Sequence, residues 1–354
     1  MEMINEPEVI ATIGYSVNNV EKYLEGILEL GVHYFRFNFA KCYNDLKSFE
    51  NKSLELKELC DKYGNDIKVM IDLPYPGIKP RILIENEKIE IRKSEKLVIT
   101  THRNLINEDY KILCVENHGA RIDLKEGEKI FYADGECCFQ VLKIMDRNTI
   151  LVESDKEVEI YNHKSLSFGK VEKMESMDRK HIELINMINA KSIALSFVTS
   201  AEEVEKYQEL FSQKEIVSKI ESREGIIQID QISKKSNIML GRGDLCLNAN
   251  YYNLYEYQQR VAHFCKANGS SLYIATGILN SLNKYSIPSQ SDIIDVSNII
   301  LLKPSYLILN YPLVDNNCKY AIKTINQIYN CMIEEGYNSD ETGCQLNKKC
   351  FDTK

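Results

Sequence analysis

The chain has 354 residues and a formal net charge of −8, with 44 Lys and Arg against 52 Asp and Glu. Its 44% hydrophobic and 27% charged residues are typical of a globular protein with one large or two ordinary domains. The acidic balance argues against nucleic-acid binding, and no apolar run reaches the roughly 20 residues of a membrane span. The first residues show no signal-peptide pattern, and the cysteines form no metal-binding cluster, so we predict a cytoplasmic protein with reduced thiols.

The N-terminal part alternates short apolar runs with amphipathic stretches, a pattern that predicts strands followed by helices. The predicted strands are Val9–Ile13, Tyr34–Phe39 and Val69–Leu73. The predicted helices are Asn19–Leu30 and Leu46–Tyr63.

The helical period disappears between about residues 77 and 169. Short β-type runs separated by turn residues replace it, which predicts a small all-β domain. Its predicted strands are Arg81–Ile84, Lys88–Ile91, Lys96–Thr101, Lys129–Tyr132, Cys138–Ile144 and Thr149–Glu153. Residues 77-169 are therefore predicted to be an insertion into an α/β domain formed by 1-76 and 170-354.

The strand–helix alternation resumes near residue 177. The five predicted strands there are Ser192–Phe197, Ile216–Ile220, Ile238–Leu240, Ser271–Ala275 and Tyr306–Leu309. The predicted helices are Arg179–Ile188, Ala201–Phe211, Arg223–Ile232, Leu254–Ala267, Ile293–Leu302 and Tyr320–Glu335. With the three strands before the insertion, the pattern predicts a (β/α)8 TIM barrel with an inserted small all-β domain after strand 3. The tail from residue 337 is predicted to be flexible.

Active sites of such barrels lie at the C-terminal ends of the strands, so polar residues there are candidates. They are Arg36, Asn38, Asp72, Ser196, Lys219, Glu221, Gly243, Asp244 and Thr276. Glu221 and Asp244 offer the oxygen ligands that magnesium prefers. Lys219 and Arg36 are suited to an anion such as phosphate, and the amides of Gly243 and Asp244 to a carboxylate.

Each candidate also has a purely structural interpretation. Lys219 and Glu221 are compatible with an ordinary ion pair at the barrel mouth, and Arg242 with a structural pair to Asp244. Asn38 is compatible with a helix cap, and Thr276 with a strand-end hydroxyl bonded to the backbone. The joint position of these residues on one face of the barrel favours the functional interpretation.

Beyond these residues, the chain resembles the pyruvate kinase family in short segments that follow one another in the family's order over about Glu8–Leu309. Lys219-Ile220-Glu221-Ser222-Arg223-Glu224-Gly225 resembles K-I-E-N-x-E-G, and Gly241-Arg242-Gly243-Asp244-Leu245 resembles A-R-G-D-L. Further segments are Ile10–Gly14 (C-T-I-G), Arg36–Phe39 (R-L-N-F), Ile71-Asp72 with Pro76 (L-D-T-K-G-P), Ala275-Thr276 (A-T-Q-M-L-E-S) and Asp295-Val296 with Asn298 (D-V-A-N). The insertion falls where the family carries its lid domain.

The resemblance implies a role for each matched residue. Lys219 would stabilise the phosphoryl group in flight, Arg36 would contact phosphate, and Thr276 would lie on the face where the enolate is protonated. Glu221 and Asp244 would bind catalytic magnesium, and the substrate would contact Gly243, Asp244 and Ser196. The nucleotide would lie near Asn38, Lys41, Lys79 and Asp134, and a monovalent cation near Asn38 and Asp72.

Several positions depart from the family pattern. The Ser and Thr of the potassium site become Ala40 and Leu73, so the resemblance does not carry potassium dependence over. The strand-eight S-G-E-T becomes Asn310-Tyr311-Pro312-Leu313. The sequence continues for about one helix after the barrel, so we expect no counterpart of the family's C-terminal regulatory domain. The enolate and magnesium half of the site is retained and the nucleotide and potassium half is altered.

These features predict a magnesium-dependent phosphotransferase that acts on phosphoenolpyruvate or pyruvate with ADP, ATP or a related acceptor. One alternative is an enolate-stabilising lyase or decarboxylase of a 2-oxo acid. Another is a non-catalytic relative that binds a metabolite. The expected partners are these small molecules, with no nucleic acid and no membrane, and barrel contacts are compatible with a homodimer.

Overall fold

The computed structural model of the chain describes residues 6–14, 20–40, 42–43, 45–74, 81–84, 88–103, 105, 107–116, 124–133, 135–162, 164, 166–168 and 177–334. The first elements are β1 (Glu8–Ile13), α1 (Val20–Leu28), β2 (Tyr34–Asn38), α2 (Leu46–Tyr63) and β3 (Lys68–Leu73). They follow the predicted order, and α2 has the predicted bounds. Asp45 begins α2 by accepting a hydrogen bond from the backbone N–H of Lys47.

A series of strands follows β3. They are β4 (Arg81–Leu83), β5 (Lys88–Ile91), β6 (Lys96–Thr100), β7 (Lys111–Glu116), β8 (Lys129–Tyr132), β9 (Cys137–Asp146), β10 (Thr149–Ser154), β11 (Val158–Tyr161) and β12 (Leu166–Phe168). Three of these strands, β7, β11 and β12, were not predicted from the sequence. Each is at most six residues long and pairs with a strand that is not its neighbour in the chain (β7 with β4, β11 with β5 and β12 with β8), so its own residues carry little of the signal.

The helix–strand alternation then resumes. Its elements are α3 (Arg179–Asn186), β13 (Ser192–Leu195), α4 (Ala201–Leu210), β14 (Glu215–Ile220), α5 (Arg223–Ile227), α6 (Ile229–Ser233), β15 (Asn237–Gly241), α7 (Arg242–Asn248), α8 (Leu254–Asn268), β16 (Leu272–Ala275), α9 (Gln290–Leu301), β17 (Tyr306–Leu309) and α10 (Tyr311–Glu334). The predicted helix over Arg223–Ile232 is divided at Gln228, where the backbone leaves the helical region. The last helix begins earlier than predicted and is kinked at Asn317.

Eight parallel strands form a closed barrel in the order β1-β17-β16-β15-β14-β13-β3-β2. This confirms the predicted (β/α)8 fold class. The barrel interior is filled by buried side chains from every strand: Ile10, Tyr34, Met70, Ala194, Val217, Met239, Tyr273, Ala275 and Ile308. Because side chains alternate along a strand, the residues two positions further on point into the same interior, nearer the C-terminal mouth.

The chain divides into two compact units. One comprises the chain up to Pro74, Asp178–Arg242 and the chain from Tyr252 onward. The other comprises the inserted segment up to Met177 together with Gly243–Tyr251. In this second unit, a seven-stranded sheet (β12-β8-β9-β10-β6-β7-β4) and the pair β11-β5 enclose an apolar core. The predicted boundaries at 76/77 and 169/170 fall outside the described residues and stay a prediction.

The nine cysteines in the described part of the chain are all free. Burial raises the pKa of several thiols, including that of Cys265 to about 11, so these remain protonated at neutral pH and are poor nucleophiles. In the same described part, none of the helices has the length and apolar character needed to cross a bilayer.

Candidate active site

A layer of polar side chains lies directly above the apolar barrel interior. Each is two residues beyond an interior residue, on the same strand or, for Ser196, directly after its end: Thr12 beyond Ile10, Arg36 beyond Tyr34, Asp72 beyond Met70, Ser196 beyond Ala194 and Lys219 beyond Val217. Strand periodicity therefore turns five strands into one inward-facing polar ring at the end where barrel enzymes place their chemistry. The structure brings together Arg36, Asp72, Ser196, Lys219 and Glu221, as their strand-end positions predicted.

Asp72 is the centre of this ring. Its Oδ2 accepts a hydrogen bond from Arg36 Nε at 2.7 Å and a second from Arg36 Nη2. Its Oδ1 lies 3.3 Å from the Nζ of Lys219. Burial by itself would raise the pKa of Asp72, but the guanidinium of Arg36 and the ammonium of Lys219 outweigh it, so the pKa lies below its ordinary value. Asp72 is therefore a carboxylate that holds two cations in fixed positions.

Lys219 is enclosed by oxygen atoms. Besides Asp72, its Nζ contacts Ser196 Oγ at 2.9 Å and Glu221 Oε1 at 3.2 Å. Its side chain is only 11% exposed, so the ammonium is screened by few water molecules. Ser196 in turn donates to the backbone carbonyl of Leu73 at 2.9 Å. This arrangement fixes the position of a positive charge at the barrel mouth.

Glu221 occupies the short link between β14 and α5. The link turns sharply because Ser222 begins α5, its hydroxyl accepting the N–H of Gly225 at 3.2 Å. Glu221 Oε2 accepts the backbone N–H of Phe197 at 2.9 Å. Gly241 makes this placement feasible: a Cβ there would lie 2.7 Å from Glu221 Oε1 and Cγ.

The opposite side of the mouth holds Thr276, which follows the end of β16. Its backbone is left-handed, with φ +72°, a genuine outlier for a β-branched residue. The carbonyl of Thr276 accepts a hydrogen bond from Arg242 Nε at 2.9 Å. The guanidinium of Arg242 also forms two bonds to Asp295, at 2.7 and 2.8 Å. The sequence indicated a possible pair of Arg242 with Asp244 and gave no sign of the pair with Asp295.

The other predicted site residues are not among the side chains that form the polar ring. Asn38 is exposed at the end of β2, where its Oδ1 accepts a hydrogen bond from the backbone N–H of Ala40 at 2.8 Å. This bond belongs to a local turn. The N-terminal cap of the following helix, α2, is Asp45 and not Asn38. Gly243 and Asp244 lie in the first turn of α7, within the second compact unit. The remaining nucleotide candidates, Lys41, Lys79 and Asp134, lie outside the described residues.

Comparison with known proteins identifies the family to which this fold and site belong. A family model described as "Pyruvate kinase, barrel domain" matches residues 4–308. The chain belongs to the pyruvate kinase family. This confirms the resemblance predicted from its Lys-Ile-Glu and Arg-Gly-Asp segments.

Curated pyruvate kinases are similar along most of this chain. That of Thermotoga maritima is 28% identical over 333 residues, which cover 91% of this chain and 70% of the relative. That of Borreliella burgdorferi is 28% identical over 305 residues, which cover 83% of this chain and 61% of the relative. A crystal structure of a pyruvate kinase from Cryptosporidium parvum has a TM-score of 0.71 and 24% identity, covering 92% of this chain and 68% of that one. This last similarity concerns the fold.

Within the pyruvate kinase frame, sequence reasoning missed two side chains that hold the site together. Asp295 was noticed only as part of a resemblance segment, and its partner Arg242 lies 53 residues away in the chain. Gln258, whose Oε1 accepts a bond from Arg242 Nη1 at 3.3 Å, had no signal in the sequence. A buried arginine requires several hydrogen-bond acceptors. Acceptor side chains on the neighbouring predicted helices were therefore the signal that could have indicated Asp295 and Gln258.

Proposed function

We propose that the chain is a phosphotransferase of pyruvate kinase type that transfers a phosphoryl group between phosphoenolpyruvate and ADP or a related acceptor. The observation that carries the proposal is the enclosed ammonium of Lys219, held by Asp72, Ser196 and Glu221 beside the guanidinium of Arg36. Positive charge held in a fixed position among buried side chains is what a phosphoryl group in flight requires. Family membership supports the same reaction.

In the proposed reaction, the bond between phosphorus and the enol oxygen of phosphoenolpyruvate breaks. A new bond forms between phosphorus and a terminal oxygen of the acceptor, which leaves the enolate of pyruvate. Lys219 and Arg36 stabilise the negative charge on the transferring group. The enolate then takes up a proton at carbon, on the side where we propose that Thr276 lies. Binding of the substrate carboxylate at the amides of Gly243 and Asp244 stays a prediction, as does contact with Ser196.

Magnesium fits the donors that this chain offers. Mg²⁺ in phosphoryl-transfer sites is commonly held by one or two carboxylates, with substrate oxygens and water completing its shell. Glu221 supplies one such carboxylate, and we propose Asp244 as the second. Within the described residues no group of three or more His, Cys, Asp or Glu forms a ready-made metal cage, which is compatible with a metal that arrives with substrate. When bound, magnesium would neutralise charge on the phosphate.

A potassium ion fits less well. Asp72 is already paired with two cations, Arg36 and Lys219, and a third cation beside it would be repelled by both. Ala40 and Leu73 provide no side-chain oxygen as ligands. We therefore propose that the reaction proceeds without potassium.

The test is ATP formation from phosphoenolpyruvate and ADP with Mg²⁺, with and without K⁺. The expected result is activity in both conditions that falls by roughly a thousand-fold or more in Lys219→Met, because a charge aimed at the transition state is lost. The matched control is Lys57→Met, which removes an exposed lysine paired with Asp61 on α2. Full activity in Lys219→Met would refute the proposed role of this lysine.

Two further results would redirect the proposal. Magnesium-dependent binding of phosphoenolpyruvate without ATP formation would favour a different acceptor or nucleotide-independent turnover of a 2-oxo acid such as oxaloacetate. Absence of binding would favour a non-catalytic relative. Fractionation of cells and sedimentation of the purified chain test the accompanying proposals of a cytosolic location and a homodimer.

A further inference from the structure

The turn after β16 adopts a conformation that its own residues disfavour. Thr276 has φ +72°, and Gly277 follows with φ +81°. Glycine adopts this region freely, whereas threonine does so only where the surrounding structure imposes it. The Thr276 side chain is exposed, so its own packing does not hold the conformation. Another part of the molecule must therefore hold this turn.

Arg242 meets that requirement. Its Nε donates to the carbonyl of Thr276 at 2.9 Å. The two terminal nitrogens donate to the two carboxylate oxygens of Asp295, at 2.7 and 2.8 Å. Arg242 is 6% exposed, and its planar guanidinium cannot rotate without breaking the bonds to Asp295. The position of the Thr276 carbonyl is thus tied to helix α9, which carries Asp295.

Gly277 shows how closely the guanidinium lies against the turn. A Cβ at this position would be 3.1 Å from Arg242 Nη2, closer than ordinary van der Waals contact. The small residue allows the flat guanidinium to approach the backbone, and the guanidinium then limits the conformations that the turn can adopt.

We propose that the Arg242–Asp295 ion pair is a positioning device that keeps Thr276 left-handed and so directs its hydroxyl into the barrel mouth for proton transfer to the enolate. This rests on the proposed function. In the step concerned, the Thr276 O–H bond breaks as a C–H bond forms on the enolate carbon, and water returns a proton to the hydroxyl. Arg242 and Asp295 act only through Thr276, so they are positioning residues.

The kinetic test separates proton transfer from phosphoryl transfer. Exchange of the pyruvate methyl protons in D2O is followed by NMR, beside ATP formation, in Asp295→Asn, Asp295→Glu, Thr276→Ala and the Asp295→Asn/Thr276→Ala double variant. Asp295→Asn is expected to slow exchange by about 10- to 100-fold with little change in the KM for phosphoenolpyruvate, as a small misplacement does. Asp295→Glu is expected to restore part of the rate.

The double variant decides whether the effect passes through Thr276. In the Thr276→Ala background, Asp295→Asn is expected to cause no further loss of exchange. A further loss of the full size, or a loss seen in KM alone, would overturn the proposal. The control is Asp61→Asn, which removes an exposed carboxylate on α2 and is expected to leave exchange unchanged.

A second measurement does not depend on activity. In protein labelled at the threonine methyl groups, the ¹³C–¹H signal of Thr276 is expected to shift or split in Asp295→Asn and to stay in place in Asp61→Asn. An unchanged Thr276 signal in Asp295→Asn would overturn the positioning role. If the wild-type protein forms no ATP and exchanges no protons while the signal moves, the proposed function fails and the positioning role stands.

Discussion

The two sides of the barrel mouth hold their groups by different means. On one side, Arg36, Asp72 and Lys219 are inward side chains of ordinary strands, and their mutual charges hold them in place. On the other, the ion pair of Arg242 with Asp295 holds a strained backbone at Thr276. The first arrangement depends on strand period and electrostatics, whereas the second depends on a contact between distant segments. The two sides should therefore respond differently to substitution.

The largest effect is expected at the centre of the first side. Asp72→Ala leaves the cations of Arg36 and Lys219 buried without their shared carboxylate, which should lower the free energy of unfolding by about 3–5 kcal/mol. Urea unfolding followed by circular dichroism measures this, with Asp61→Ala as the exposed control. A loss no larger than that of the control would mean that the three charges are not coupled.

A smaller loss is expected where Glu221 approaches the neighbouring strand. Gly241→Ala puts a methyl group 2.7 Å from Glu221 Oε1 and Cγ, so the carboxylate must move, at a loss of about 1–3 kcal/mol. Gly26→Ala in helix α1 is the matched control, because nothing lies within 4 Å of its Cβ; it should stabilise the chain by about 0.5–1 kcal/mol. Equal effects of both substitutions would contradict this account of Glu221.

The stability contributed by Asp72 on the first side should depend on pH in the acid range. The pKa of Asp72 is lower in the folded chain than its ordinary value of 3.8, so its stabilising contribution is complete above that pH. The contribution is lost as the pH falls below 3.8 through the folded-state pKa. Its full size is about 1.4 kcal/mol for each unit by which folding lowers the pKa of Asp72. Unfolding measured across this range should show a shallower acid loss in Asp72→Asn. Parallel curves for both proteins would rule out the lowered pKa.

The smallest effect is expected on the second side, away from the ion pair itself. Gln258→Met removes one acceptor of Arg242 while Asp295 and the Thr276 carbonyl remain, so the expected loss is about 0.5–1.5 kcal/mol. Urea unfolding measures it beside Asp295→Asn, which should destabilise the chain more. The reverse order would show that Gln258, and not Asp295, is the main anchor of Arg242.

Sequence patterns predicted the first side well. Arg36, Asp72 and Lys219 follow buried apolar positions at a spacing of two, so strand period alone aligned them. Charge pairing between them also follows from residue type. The second side could not be predicted in this way, because Asp295 lies on a helix and reaches Arg242 only after the barrel has closed.

In the inserted domain, too, some features could be predicted from local sequence and others depended on tertiary contacts. Its apolar alternation predicted that β-strands form there, whereas β11 and β12 were missed. Those strands are three or four residues long and are stabilised by their partners β5 and β8 more than by their own residues. Whether a strand forms is thus determined by its own residues in long alternating runs, and by its partner strands in short runs.

The sequence by itself determined the barrel, its family and the inward polar residues, because hydrophobic period and residue type are local and repeat along the chain. Only the tertiary structure decided that Asp72 joins Arg36 to Lys219, that Gly241 makes room for Glu221, and that Asp295 holds Arg242 against Thr276. Those contacts join segments tens of residues apart. Their geometry depends on the closure and register of the whole barrel, which no short stretch of sequence specifies.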